Sequence, residues 1–210
     1  MGKAKAAMLL KAADGGPASP QTRILDVARE LFCRDGIHAT GIDRILAEAG
    51  ASKMTLYARY GSKDALLRAV LTEEGEDWRQ RFFDRLDEAG KVPAARLRAI
   101  VPALGDWFSG GKFYGCAFMN AVSEHRKNEV WLREMAAAHH REILARFTLI
   151  GAEAGYGEPA TLARQLLLLI DGTIAALMVS GDASVLDIAR RNLDAILSAA
   201  PLADEAGAPA

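Results

Sequence analysis

Residues 47–67 read AEAGASKMTLYARYGSKDALL. The stretch opens and closes like a helix, but Gly50 and Ser52 interrupt it. Glycine permits the positive φ of a tight turn, and serine is a good N-cap for the helix that follows. Gly61 and Ser62 repeat the pattern before the next helix. Between the two breaks lie Lys53, Thr55, Tyr57, Arg59 and Tyr60, and Lys63 opens the next segment. A hydrophobic core does not accept such a set; an anionic partner does.

The flanking sequence supplies the partner helices. TGIDRILAEAG begins at Thr40, a candidate cap, turns Ile42, Ile45 and Leu46 inward, and stops at Gly50. Upstream, Ser19 and Pro20 mark the start of a helix reaching Arg34, with Ile24, Val27, Ala28, Leu31 and Phe32 on one face and Gly36 at its end. Downstream, Ser62 caps a long helix from Lys63 into the low 80s, with Ala65, Leu66, Ala69 and Val70 facing in.

A short helix, a glycine turn and a second short helix make a helix-turn-helix, held together by Ile42, Ile45, Leu46 and Leu56. Such a second helix offers its outer side to a DNA major groove and its first residues to base edges. Lys53, Arg59 and Lys63 can neutralise phosphates, and the hydroxyls of Thr40, Ser52, Thr55, Tyr57 and Tyr60 can donate to phosphate oxygens. For base reading, Lys53 and Arg59 suit guanine and Met54 suits a thymine methyl. Basic helix-glycine-helix pairs also occur in plain structural bundles. What favours DNA is that cap, turn, hydroxyls and Lys63 fall in register.

On these residues the chain resembles the N-terminal DNA-binding domain of the TetR family of transcriptional regulators. The likeness covers residues 22–71, and GIDRILAEAGASKMTLYARYGSKDALLRAVL carries it. Gly50, Ser52, Thr55, Leu56, Tyr57, Tyr60, Lys63 and Leu66 match the family pattern. Ala51 stands where valine is usual, which loosens the turn. Ala58-Arg59-Tyr60 stands where an aromatic or Arg, then His, then Phe is common, so Arg59 alters base preference. The resemblance implies a homodimeric regulator, read as a repressor, that binds a palindromic double-stranded DNA operator and is released by a small-molecule inducer. It also implies a C-terminal body that dimerises through its last two long helices and holds the inducer.

The rest of the chain fits an all-α protein of about nine helices: a three-helix N-terminal domain and a larger C-terminal bundle. Half of the 210 residues are hydrophobic and no strand pattern stands out. Residues 1–72 hold 11 Lys and Arg against 7 Asp and Glu, whereas the remainder holds 15 against 20. A basic third on an acidic body points to a local anion-binding face, although a split of this size also arises by chance. The domain reading is a disordered basic tail over 1–19, a DNA-binding domain over 20–66, and a ligand-binding and dimerisation domain over 67–200. Helices are expected near 92–109, 114–126, 128–153, 159–180 and 183–199.

Within the body, residues 165–180 are apolar on nearly every face, which suits a central core helix or a dimer face. The proposed interface is Leu166, Ile170, Ile174 and Leu177 with Ile188, Leu193 and Ile196. Trp107, Phe108, Phe113, Phe118 and Met119 gather at a Gly-rich break, with Asn120 and Ser123 as polar anchors. They read either as an effector pocket or as a kinked junction plugged by aromatics. Cys116 reads as a redox switch beside Lys112 or as a small buried hydrophobe.

Cys33 and Cys116 lack metal-ligand spacing and fit a reducing compartment. No signal peptide is legible, and residues 165–180 look too short and polar for a membrane span, so a soluble cytoplasmic protein is expected. The pair His139-His140 is expected to be solvated, and Glu73, Glu74, Glu76 and Asp77 to form an exposed face. No nucleophile-base pair, phosphate loop or metal set points to an enzyme, and nothing calls for a cofactor.

Overall fold

The computed structural model describes residues 19–125 and 129–203, which contain ten helices and no strand. The expected tail lies, apart from Ser19, outside the described residues. Two compact units emerge. The first takes residues 19–81 and 120–125, and the second takes 82–119 and 129–203.

The first unit holds α1 (Pro20–Asp35), α2 (Ile42–Ala49), α3 (Lys53–Tyr60), most of α4 (Lys63–Asp87) and the end of α7 (Ala117–Glu124). Local chemistry sets these boundaries. Ser19 Oγ accepts the Thr22 N–H at 3.1 Å, and Pro20 fills the first turn, where its missing N–H costs nothing. Gly50 ends α2 with φ 58°, ψ 45°. Ile24, Ala28, Leu31, Ile45, Leu56 and Leu66 have no exposed surface and form one core. Each of these leucine and isoleucine side chains contributes roughly 1.5–3 kcal/mol when fully buried. The acidic run on α4 is not simply a solvated face. Glu74 and Asp77 hold Arg29 of α1 at 2.6 and 2.8 Å.

The second unit continues α4 from Phe82 and adds α5 (Pro93–Arg98), α6 (Ile100–Ser109), the start of α7, α8 (Val130–Glu153), α9 (Pro159–Ser180) and α10 (Val185–Ala199). One helix was expected over 92–109, and two occur, parted at Ala99. Pro102 explains the break: it cannot donate to the Arg98 carbonyl four residues back, and its ring crowds that oxygen. Phe82, Phe83 and Phe147 pack edge to face, 5.4–6.4 Å apart, at one end of this core. Against expectation, α9 is long and apolar enough to cross a membrane by length and composition. Its row Leu162, Leu166, Ile170, Thr173, Ile174 and Leu177 is buried, and it packs on α8 and α10.

Nothing lies within 4 Å of a Cβ built on Gly50, so only its left-handed backbone resists substitution. Gly50→Ala should therefore cost about 1–2 kcal/mol in urea unfolding, without the larger loss of a steric clash.

Candidate nucleic-acid interface

Helices α2 and α3 meet across the Gly50 turn. Ser52 Oγ accepts the Thr55 N–H at 3.1 Å and lies 2.9 Å from Thr55 Oγ1. Both hydroxyls are thereby engaged at the start of α3. Leu56 is the one fully buried residue of α3 and anchors it. Three side chains from elsewhere hold the motif, and periodicity cannot reveal them. Arg23 of α1 donates through Nε to Ala49 O at 2.9 Å and through Nη2 to Gly50 O at 3.2 Å, satisfying the end of α2. Glu124, at the end of α7, accepts the Ile37 and His38 N–H groups on one oxygen at 2.7 and 3.0 Å. A Cβ on Gly36, whose φ is 92°, would lie 3.3 Å from that carboxylate, so glycine suits the approach as well as the backbone. His38 Nε2 lies 2.8 Å from Glu124 O, and its ring sits 4.9 Å from that of His125.

On α3, Lys53, Met54, Tyr57 and Arg59 are all exposed. Met54 is 80% exposed, unusual for so apolar a side chain. Lys53 Nζ lies 2.8 Å from Asp43 Oδ1, which raises the ammonium pKa. Arg59 stacks over the Tyr60 ring at 5.7 Å.

Three of the residues expected to contact phosphate turn inward. Thr40 is fully buried and donates its hydroxyl to Gly36 O at 2.7 Å, bracing the α1–α2 turn instead of capping α2. The cap position of α2 is Gly41, without a side-chain bond. Lys63 Nζ donates to Ile37 O at 2.6 Å, and burial pulls its ammonium below the usual lysine pKa. Tyr60 is half-buried, donates to Gln21 O at 3.3 Å, and has its phenol pKa pushed up by burial.

Comparison with known proteins agrees with this arrangement. A family model described as "Bacterial regulatory proteins, tetR family" matches residues 24–70. The HTH-type transcriptional repressor SCO4008 of Streptomyces coelicolor is 43% identical over 164 residues, 73% of this chain and 76% of that protein. The chain belongs to the TetR family. The regulator UidR of Escherichia coli is 34% identical over 67 residues, 32% of this chain and 34% of its own. SCO4454, a TetR-family transcriptional regulator from S. coelicolor, superposes with a TM-score of 0.78 at 29% identity, covering 85% of this chain and 94% of its own. This TetR-family protein is thus a transcriptional regulator carrying a DNA-binding helix-turn-helix, and its family is not one of enzymes.

The second unit departs further from expectation. Phe113 packs edge to face on Trp107 at 4.8 Å and on Phe108 at 5.3 Å. Phe118 stacks instead on His139 at 4.3 Å, and Met119 is half-buried. Asn120 and Ser123 fall in the first unit, Asn120 half-buried and Ser123 exposed. His139 is buried, not solvated, and His140 Nε2 lies 3.6 Å from Asp171 Oδ2. Burial raises the Asp171 pKa, and His140 partly offsets that. Among the described residues no three His, Cys, Asp or Glu side chains are placed to hold a metal.

The expected dimer face needs the larger correction. Leu166, Ile170, Ile174, Leu177 and Leu193 are buried in the chain's own core, and Ile196 is half-buried. The unpartnered row runs along the opposite side of α9, through Leu168 (75% exposed), Gly172, Ala176 and Val179 (85%). On α10 it continues through Ile188, Ala195 and Ala199. Only Ile188 of the expected set lies on it.

Thr40 and Arg59 separate scaffold from contact. Thr40→Val should lower unfolding free energy by about 1–3 kcal/mol and leave the salt slope of DNA binding unchanged. Arg59→Ala should leave stability unchanged and reduce the slope of log K against log salt by about one, read by anisotropy across a salt series.

Proposed function

We propose that this regulator is a repressor that binds a palindromic operator as a homodimer and leaves it when a small-molecule effector binds. The observation that carries the reading is the outward set Lys53, Met54, Tyr57 and Arg59 on a short helix fixed at both ends. It joins cations, a hydroxyl and an apolar tip on one protruding surface, the chemistry a major groove requires. Repression is supported by the Streptomyces relative, itself named a transcriptional repressor.

Dimerisation is supported by the exposed row on α9 and α10. Small residues, Gly172, Ala176, Ala195 and Ala199, let two helices approach closely, and Leu168, Val179 and Ile188 supply the apolar area. A second copy related by a two-fold axis covers such a row with itself. In this reading residues 20–66 contact DNA and residues 67–200 dimerise and bind the effector. Trp107, Phe108 and Phe113 favour an effector with an apolar or aromatic body. The protein works where chromosomal DNA is, in the cytoplasm.

Anisotropy on the DNA upstream of its own gene, against a scrambled duplex over a salt series, tests the reading. Binding of one dimer per palindrome, lost on scrambling, is the expected result; equal weak binding to both duplexes at every salt counts against it. Leu168→Glu with Val179→Glu should convert the dimer to monomer in sedimentation velocity and weaken operator binding by more than about ten-fold. A dimer that survives both changes removes α9 from the interface.

A further inference from the structure

The surface expected to meet DNA includes a carboxylate. Asp43 is the second residue of α2, and Lys53 is the first of α3. Their side chains are 78% and 64% exposed and 2.8 Å apart, between the N-termini of the two helices of the motif. The neighbouring cation is committed elsewhere: Arg44 is held by Asp35 at 2.8 Å and Glu48 at 3.0 Å. Asp43 therefore pairs forward, onto the helix that reads.

Stability does not account for this pair, because ion pairs so exposed contribute little. Affinity does not account for it either. A carboxylate beside phosphates weakens binding to every sequence alike, and it ties up a cation that would otherwise release counterions. Discrimination does. In the major groove guanine presents two acceptors, N7 and O6, and its paired cytosine presents the N4 amino donor. An ammonium held beside a carboxylate offers donors next to an acceptor, the complement of that edge.

Resting on the reading of the protein as an operator-binding regulator, we propose that Asp43 and Lys53 together read one G·C pair in each half-site. Lys53 donates to guanine N7 and O6, and Asp43 accepts from cytosine N4. Asp43 is then a specificity-determining residue that the motif alone does not reveal. It also keeps Lys53 off the phosphates, so an A·T or C·G pair in place of the G·C leaves a buried carboxylate facing an acceptor.

The test selects bound duplexes from a random pool with the full-length wild type and with Asp43→Ala, Lys53→Ala and Met54→Ala. Anisotropy then follows each protein on the selected site with single base-pair changes. The wild type should show one G·C position per half-site whose change to A·T weakens binding about ten-fold. Asp43→Ala and Lys53→Ala should both flatten that position to within about two-fold and leave the others intact, and Met54→Ala should not touch it. Asp43→Ala should also steepen the salt slope by about one as Lys53 turns to a phosphate.

The proposal is overturned if Asp43→Ala keeps the wild-type preference, if it and Lys53→Ala flatten different positions, or if the shared position is A·T. A pool in which the wild type enriches nothing overturns the regulator reading and this one with it. Enrichment with an unchanged Asp43→Ala profile overturns this one alone.

Discussion

Two helices of eight residues cannot hold themselves. Isolated helices of that length are unstable in water, so α2 and α3 exist only because their ends and inner faces are held from outside. Ser52 secures the start of α3, Arg23 the end of α2, and Leu56 the face of α3 that meets the core. The turn before α2 is held three times over, by the Glu124 carboxylate, the Thr40 hydroxyl and the Lys63 ammonium. The outward set on α3 is presented rigidly because every other part of the motif is spent on fixing it.

The boundaries were legible because they are local. Ser19 with Pro20, Gly50, Ser52 and Gly61 each state their role within a few residues, and each stands where the sequence suggested. The intrachain partner of Lys63 was not legible, for the opposite reason. A basic residue opening a helix looks like a phosphate ligand, and nothing nearby says that Ile37 O, 26 residues earlier, accepts its hydrogen bond. The partners of Thr40 and Tyr60 were hidden in the same way, since a hydroxyl's partner is set by the fold.

Helix α9 shows a different limit. With apolar residues on nearly every side, its pattern cannot say which row faces the chain's own core. The larger leucines and isoleucines were assigned to the interface, and they turned out to fill the interior. The outer row is poorer in large side chains and richer in glycine and alanine, so it drew less notice. The aromatic segment was half legible: the trio around Phe113 assembles, and Phe118 goes to a histidine that no spacing rule connects to it.

The place of Glu124 bears on how such a protein can be cut and rejoined. The DNA-binding unit is not a continuous stretch of chain, because residues 120–125 return to it after nearly forty residues spent in the other unit. A fragment ending within α4 would bare the Ile37 and His38 N–H groups that Glu124 accepts. Exchange of reading heads between relatives, in the laboratory or in evolution, must carry both pieces of the joint or rebuild one to suit the other.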